Sequence, residues 1–197
     1  MRTELARMTV GAMLVFSTYT ASGAASPYVD SRVVTYPVIG ETIADIQRSI
    51  AASAPSRSGD TYYAGVTKWS LAANYDLIPT ENGCLLDNGE VYLKLRIHLP
   101  VLSQKPGSAA VEREWRRFFN ALNAHEALHA QNAHRAAVTL LAKINGTRTD
   151  VTCARARVIA EQATQTLIER ISAYDKDLDA RTRHGATQGA YLNHGVR

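Results

Sequence analysis

A stripe of apolar side chains at helical spacing, interrupted by two histidines, constrains this chain more than any other feature. Trp115, Phe118, Leu122, His125, His129, Ala133, Ala136 and Leu140 fall on one face of a helix. Such a face is the one a helix turns toward the protein interior, so both imidazoles are carried inward. They belong to His125-Glu126-Ala127-Leu128-His129, the pattern HExxH. Residues four apart stand one turn above another, so both rings can reach one metal ion. Glu126 lies beside them and can take a proton from a water that the metal activates. Zn²⁺ in such a setting lowers the pKa of water to about 7 and polarises a carbonyl. The spacing therefore points to hydrolysis of a peptide bond, with His125 and His129 as ligands and Glu126 as general base.

Around this stripe the sequence divides into two textures. Residues 110–182 are helical in pattern, with Asn145-Gly146 as a stop and Thr149 or Asp150 as the next cap. Ala160, Thr164, Leu167, Ile171, Tyr174 and Leu178 form a stripe on the second helix. The short link predicts an antiparallel helical hairpin. Residues 28–100 carry strand and turn signals instead. Tyr28 to Val38 alternates loosely, and Ile43, Ile46 and Ile50 mark a short helix. Residues 51–60 are small and polar, which predicts a loop. Trp69, Leu71, Ala73, Tyr75 and Leu77 share one face of a strand. A second strand puts Val91, Leu93, Leu95, Ile97 and Leu99 on its apolar face and Tyr92, Lys94, Arg96 and His98 on its polar one. Asp87-Asn88-Gly89 is the expected turn before it, and Pro100 its expected end. The fold class is α+β: a small, mostly antiparallel sheet packed on a long helical hairpin that carries HExxH.

A catalytic zinc usually has three protein ligands and an open position. His134 lies nine residues beyond His125, about 13 Å along the axis, and cannot close the site from the same helix. If the hairpin turns near residue 147, His125 is level with Arg170. Glu169 then has the right height but points away, and Glu161 is about two turns too far along. His184 fits better. A short loop after the second helix can return the ~15 Å to His125, and Gly185 gives it backbone freedom. His184 is therefore the expected third ligand, with Glu169 and Glu161 as alternatives. Arg170 and Tyr191 are the side chains considered for stabilising an oxyanion.

The first residues carry a different signal. Arg2 and Arg7 precede the mostly apolar run Met8 to Tyr19, and Ala21-Ser22-Gly23-Ala24-Ala25 supplies small residues for cleavage. Residues 1–24 are expected to be a signal peptide and 25–197 a single domain. The apolar run is short of the ~20 residues that span a bilayer, so no stable membrane anchor is expected after cleavage. Export to the periplasm or beyond implies an oxidising compartment. The only two cysteines, Cys84 and Cys153, are then expected to pair. A loop of that length is worth about 4 kcal/mol in the chain-entropy model. The chain has 22 basic and 18 acidic residues, a net +4, spread without a run. That distribution excludes a nucleic-acid arm; the protein or peptide substrate that HExxH implies is the expected partner, and a monomer is expected.

These pieces together resemble a known family. Tyr36-Pro37-Val38-Ile39-Gly40-Glu41-Thr42, the Tyr63 to Tyr75 strand with Trp69, Cys84, Leu99-Pro100, Trp115 with Phe118 ahead of HExxH, and Asp179-Ala180-Arg181-Thr182-Arg183-His184-Gly185 are similar to the DUF922 class of bacterial exported proteins, described as predicted secreted zinc-dependent proteases. The resemblance covers most of the mature chain. Its DxxTxHG element is more selective than HExxH and implies that Asp179 and His184 belong to the site; Asp179 is then expected to orient a ligand imidazole from behind or to serve as a helix-end charge. Leu178 stands where the pattern has an aromatic. The resemblance implies a protease without naming a substrate. The rival readings are a non-catalytic envelope protein with a structural metal site and a zinc amidase acting on cell-wall peptides.

Overall fold

The computed structural model describes residues 25–59 and 61–196. The segment expected to be a signal peptide, residues 1–24, lies outside the described residues. The elements follow the order β1 (Tyr28–Val38), α1 (Ile43–Ser53), β2 (Ser56–Ser58), β3 (Thr61–Tyr63), β4 (Val66–Thr80), β5 (Gly83–Leu102), α2 (Ala109–Ile144), β6 (Thr147–Thr149) and α3 (Cys153–Thr182). A 3₁₀ turn, Ala186–Gln188, follows α3.

Local chemistry accounts for the helix starts. Thr42 and Asp45 form a reciprocal capping box at α1, Ser108 caps α2 through the Val111 N–H, and Thr152 caps α3 through the Arg155 N–H. The cap expected at Thr149 or Asp150 is thus displaced, because Thr149 is held in β6 by pairing with Cys84. The class is α+β, with three helices and a mixed sheet. Most pairings are antiparallel, as expected, but the seat of β1 makes the sheet mixed. β5 is central; β4 pairs with it antiparallel and β1 parallel, from Tyr28 opposite Tyr92 to Val38 opposite Leu102. Parallel neighbours need a crossover of a dozen or more residues, and the segment from α1 through β4 supplies it.

Three further expectations also shift. The turn expected at Asp87-Asn88-Gly89 lies inside β5, where Asn88 takes φ 51° and the ladder shifts register between Asn74 and Asp76. The loop expected at 51–60 contains β2, which pairs with β3. Pro100 does not end β5, which continues to Leu102.

The apolar alternation of β5 buries Val91, Leu93 and Leu95 against Ala133, Ala137, Leu140, Leu141 and Ile144 of α2. Alanines at these crossings bring the helix close to the sheet. A second cluster joins Ile43, Ile46 and Ile50 of α1 to Trp115, Phe118 and Leu122 of α2. α2 thus takes the sheet as its main partner. α3 meets α2 toward its C-terminal end, where Asn132 Nδ2 donates to Asp175. A disulfide joins Cys84 at the start of β5 to Cys153 at the start of α3. Among the described residues no helix is long and apolar enough to cross a membrane.

Candidate metal centre

α2 places His125, Glu126 and His129 inside the molecule, all three buried. α3 brings Asp179 to them. Asp179 Oδ1 lies 3.1 Å from Nε2 of His125 and 3.1 Å from Nε2 of His129, and the two Nε2 atoms are 3.3 Å apart. Ligands 2.0–2.1 Å from a tetrahedral Zn²⁺ stand about 3.3 Å from one another. His125, His129 and Asp179 therefore form a group that can hold a metal ion.

Asp179 thus occupies a place different from the one expected of it. It does not sit behind an imidazole; it faces the ring nitrogens that would bind a metal. The level assumed for the two helices explains the difference. A tight turn near residue 147 would set His125 beside Arg170, but the link carries β6 and lies against β5, and His125 comes level with Asp179. Glu169 stays exposed, bonded to Gln165. Glu161, Arg170 and His134 are exposed as well.

His184 adjoins this group of three. Its Nδ1 is 3.4 Å from Asp179 Oδ1, and its ring packs on Tyr63 with centroids 4.2 Å apart. Arg183 and His184 both take left-handed backbone angles, φ 50° and 51°, a conformation that costs about 1–2 kcal/mol for each such residue. The chain reverses there and delivers an exposed imidazole to the rim. Gly185 follows at φ +80°, so close to His125 that a Cβ would lie 2.9 Å from the ring Cγ.

The outward nitrogens of both histidines are also held. His129 Nδ1 donates to Asp175 Oδ1 at 3.0 Å, and His125 Nδ1 donates to Gln188 Oε1 at 2.9 Å. Asp175 in turn accepts from Trp69 Nε1 at 2.8 Å and Asn132 Nδ2 at 3.0 Å. This layer orients Nε2 of each ring inward. Sequence reasoning missed Asp175 and Gln188. Asp175 had a signal, since it stands one turn before Asp179 on the same face of α3; Gln188 had none.

Charge follows geometry. Burial opposes protonation of His129, but hydrogen bonds to Asp175 and Asp179 outweigh it and raise its pKa to about 10. Burial pushes Asp179 up, yet the hydrogen bonds from His125 and His129 hold it well below the ordinary carboxylate value. The pocket thus favours a positive charge. Burial raises the pKa of Glu126 despite the bond it accepts from Thr67 Oγ1 at 2.8 Å. Glu126, His184 and the metal-binding group line one open cleft of about 630 Å³, walled by residues 61–67 on one side and by Ala190, Tyr191 and Leu192 on another.

A family model described as "Bacterial protein of unknown function (DUF922)" matches residues 33–185. No curated protein and no solved structure matches the chain.

Proposed function

The chain belongs to the DUF922 family of bacterial proteins, and we propose that it is an exported zinc-dependent peptidase. The observation that carries this reading is the convergence of His125 Nε2, His129 Nε2 and Asp179 Oδ1 within 3.3 Å of one another in an open cleft that also holds Glu126. Two imidazoles and one carboxylate are a donor set suited to catalytic zinc. Zn²⁺, when bound, supplies Lewis acidity toward a carbonyl and a water.

The chain's own residues supply the remainder. Glu126 is the general base: it accepts the water proton and returns it to the leaving amine nitrogen. Its raised pKa brings its basicity closer to that task, and Thr67 fixes one carboxylate oxygen. His184, exposed at the rim, faces incoming substrate and stands 3.4 Å from Asp179. We assign the third ligand to Asp179, with His184 beside it. The disulfide supports an oxidising compartment, and we assign residues 1–24 as the signal for export.

The test is zinc-loaded protein against a mixed peptide library, with products read by mass spectrometry. Cleavage that a chelator abolishes, and that Glu126→Gln loses while retaining zinc, is expected. Unchanged cleavage by Glu126→Gln overturns the mechanism. N-terminal sequencing of the exported chain tests cleavage after Ala24.

A further inference from the structure

We infer that the segment after α3, residues 185–196, is a strap that positions His125, and that Glu114 and Arg117 are the clamp that holds it. The inference rests on the metal-centre reading of the site. Gly185 begins the strap against the His125 ring. Gln188, in its 3₁₀ turn, takes the hydrogen bond from His125 Nδ1. A carbonyl acceptor at Nδ1 keeps the proton there and leaves Nε2 as the nitrogen turned toward Asp179. Gln188 is an exposed side chain on a segment outside every sheet and long helix, so its position depends on what fixes the strap.

What fixes it is a built contact on α2, two to three turns before His125. Arg117 donates through Nη1 to the Gly189 carbonyl at 2.7 Å and through Nη2 to the Tyr191 carbonyl at 2.5 Å. Its guanidinium also lies 4.9 Å from the centroid of the Tyr191 ring. Glu114 is buried, with both carboxylate oxygens engaged: Oε2 accepts from Arg117 Nε at 2.9 Å, and Oε1 accepts from Arg117 Nη2 and the Asn193 N–H, each at 2.7 Å. Leu192 completes the anchor in the cluster of Trp115, Phe118 and Leu122. These contacts are built around the buried carboxylate of Glu114 and tie down a segment that no sheet or long helix holds. The strap's Ala190, Tyr191 and Leu192 also wall the cleft. Arg117 and Glu114 are positioning residues: they touch no reacting atom and act through Gln188.

The test is a Co²⁺ titration of the full mature chain, followed by its visible absorption, on wild type, Arg117→Ala, Arg117→Lys and Gln188→Ala. Limited proteolysis of the C-terminus runs in parallel. Arg117→Ala is expected to open the strap to protease, weaken Co²⁺ binding about 10–100-fold and shift the absorption bands. Gln188→Ala is expected to weaken binding and shift the bands while the strap stays protected. Arg117→Lys should recover part of the affinity. Arg117→Ala or Gln188→Ala with wild-type affinity and spectrum overturns the inference. Should wild type take up no Co²⁺, the metal-centre reading fails, and the strap is judged on the ¹⁵N ring signals of His125 in the metal-free chain. Gln188→Ala must then move those signals, and signals identical to wild type overturn the positioning role.

Discussion

Asp175 offers the sharpest single perturbation, because its carboxylate is the junction of three elements. It is 17% exposed and receives Trp69 Nε1 from β4, Asn132 Nδ2 and His129 Nδ1 from α2. Asp175→Ala leaves two neutral N–H donors without a partner, at about 1–3 kcal/mol each when buried. Since water can reach part of the site, we expect a loss of about 2–4 kcal/mol in urea unfolding of the metal-free chain. The same change frees the His129 ring. Removing such an outer partner costs about 10–100-fold in metal affinity, or about 1.4–2.7 kcal/mol. Asp175→Asn separates the two effects: it preserves shape and an acceptor oxygen, so stability should fall less, while the charge facing His129 is lost. Both variants are measured by urea unfolding and by Zn²⁺ competition against a chromophoric chelator. A wild-type midpoint together with wild-type affinity in Asp175→Ala would refute the claim that this carboxylate organises the site.

Three further outcomes are expected. Gly65→Ala should retain metal but lose activity: its Cβ would lie 2.5 Å from Glu126 Oε1, the carboxylate must move by roughly an ångström, and misplacement on that scale costs about 100-fold; kcat within twofold of wild type would contradict this. Acid should release the strap through Glu114, whose carboxyl Arg117 holds below its ordinary value of 4.5. A depressed folded-state pKa gives stability that is present above the unfolded pKa and lost as pH falls through the folded one. Protection of residues 189–196 against hydrogen exchange, relative to the intrinsic rate at each pH, should therefore fall in wild type as pH drops below the ordinary glutamate range, and a profile as flat as that of Glu114→Gln would count against it. Replacing both cysteines by alanine should lower stability by about 4 kcal/mol in chemical denaturation, since the bond closes a loop 69 residues apart in sequence; an unmoved midpoint would exclude that role.

What was legible in the sequence was local. The HExxH stripe of α2, the α1 isoleucines and the alternation of β4 and β5 are all written in periodicity, because each element must bury one face. The pairing of the two cysteines follows from their being the only two. What failed was non-local. The parallel seat of β1 beside β5 depends on a long crossover that leaves no mark in β1 itself. The height of α3 against α2 depends on β6, three residues that no pattern distinguishes from a turn. That height decides which acidic residue meets the histidines, so Glu169 was level only on paper and Asp179 is level in the fold. His184 lies near the site as expected, but the reversal at Arg183 and His184 turns it toward Tyr63. Gln188 enters through a backbone path that composition does not encode.

The central claim is that His125, His129 and Asp179 bind one metal ion. The measurement that tests it most directly is zinc per chain in the purified protein, by elemental analysis, for wild type, Asp179→Ala and His184→Ala. One zinc per chain in wild type, lost or greatly weakened in Asp179→Ala and retained in His184→Ala, is the expected result. Wild type that takes up no zinc, even when it is added back, or Asp179→Ala that holds it as tightly as wild type, would contradict the account.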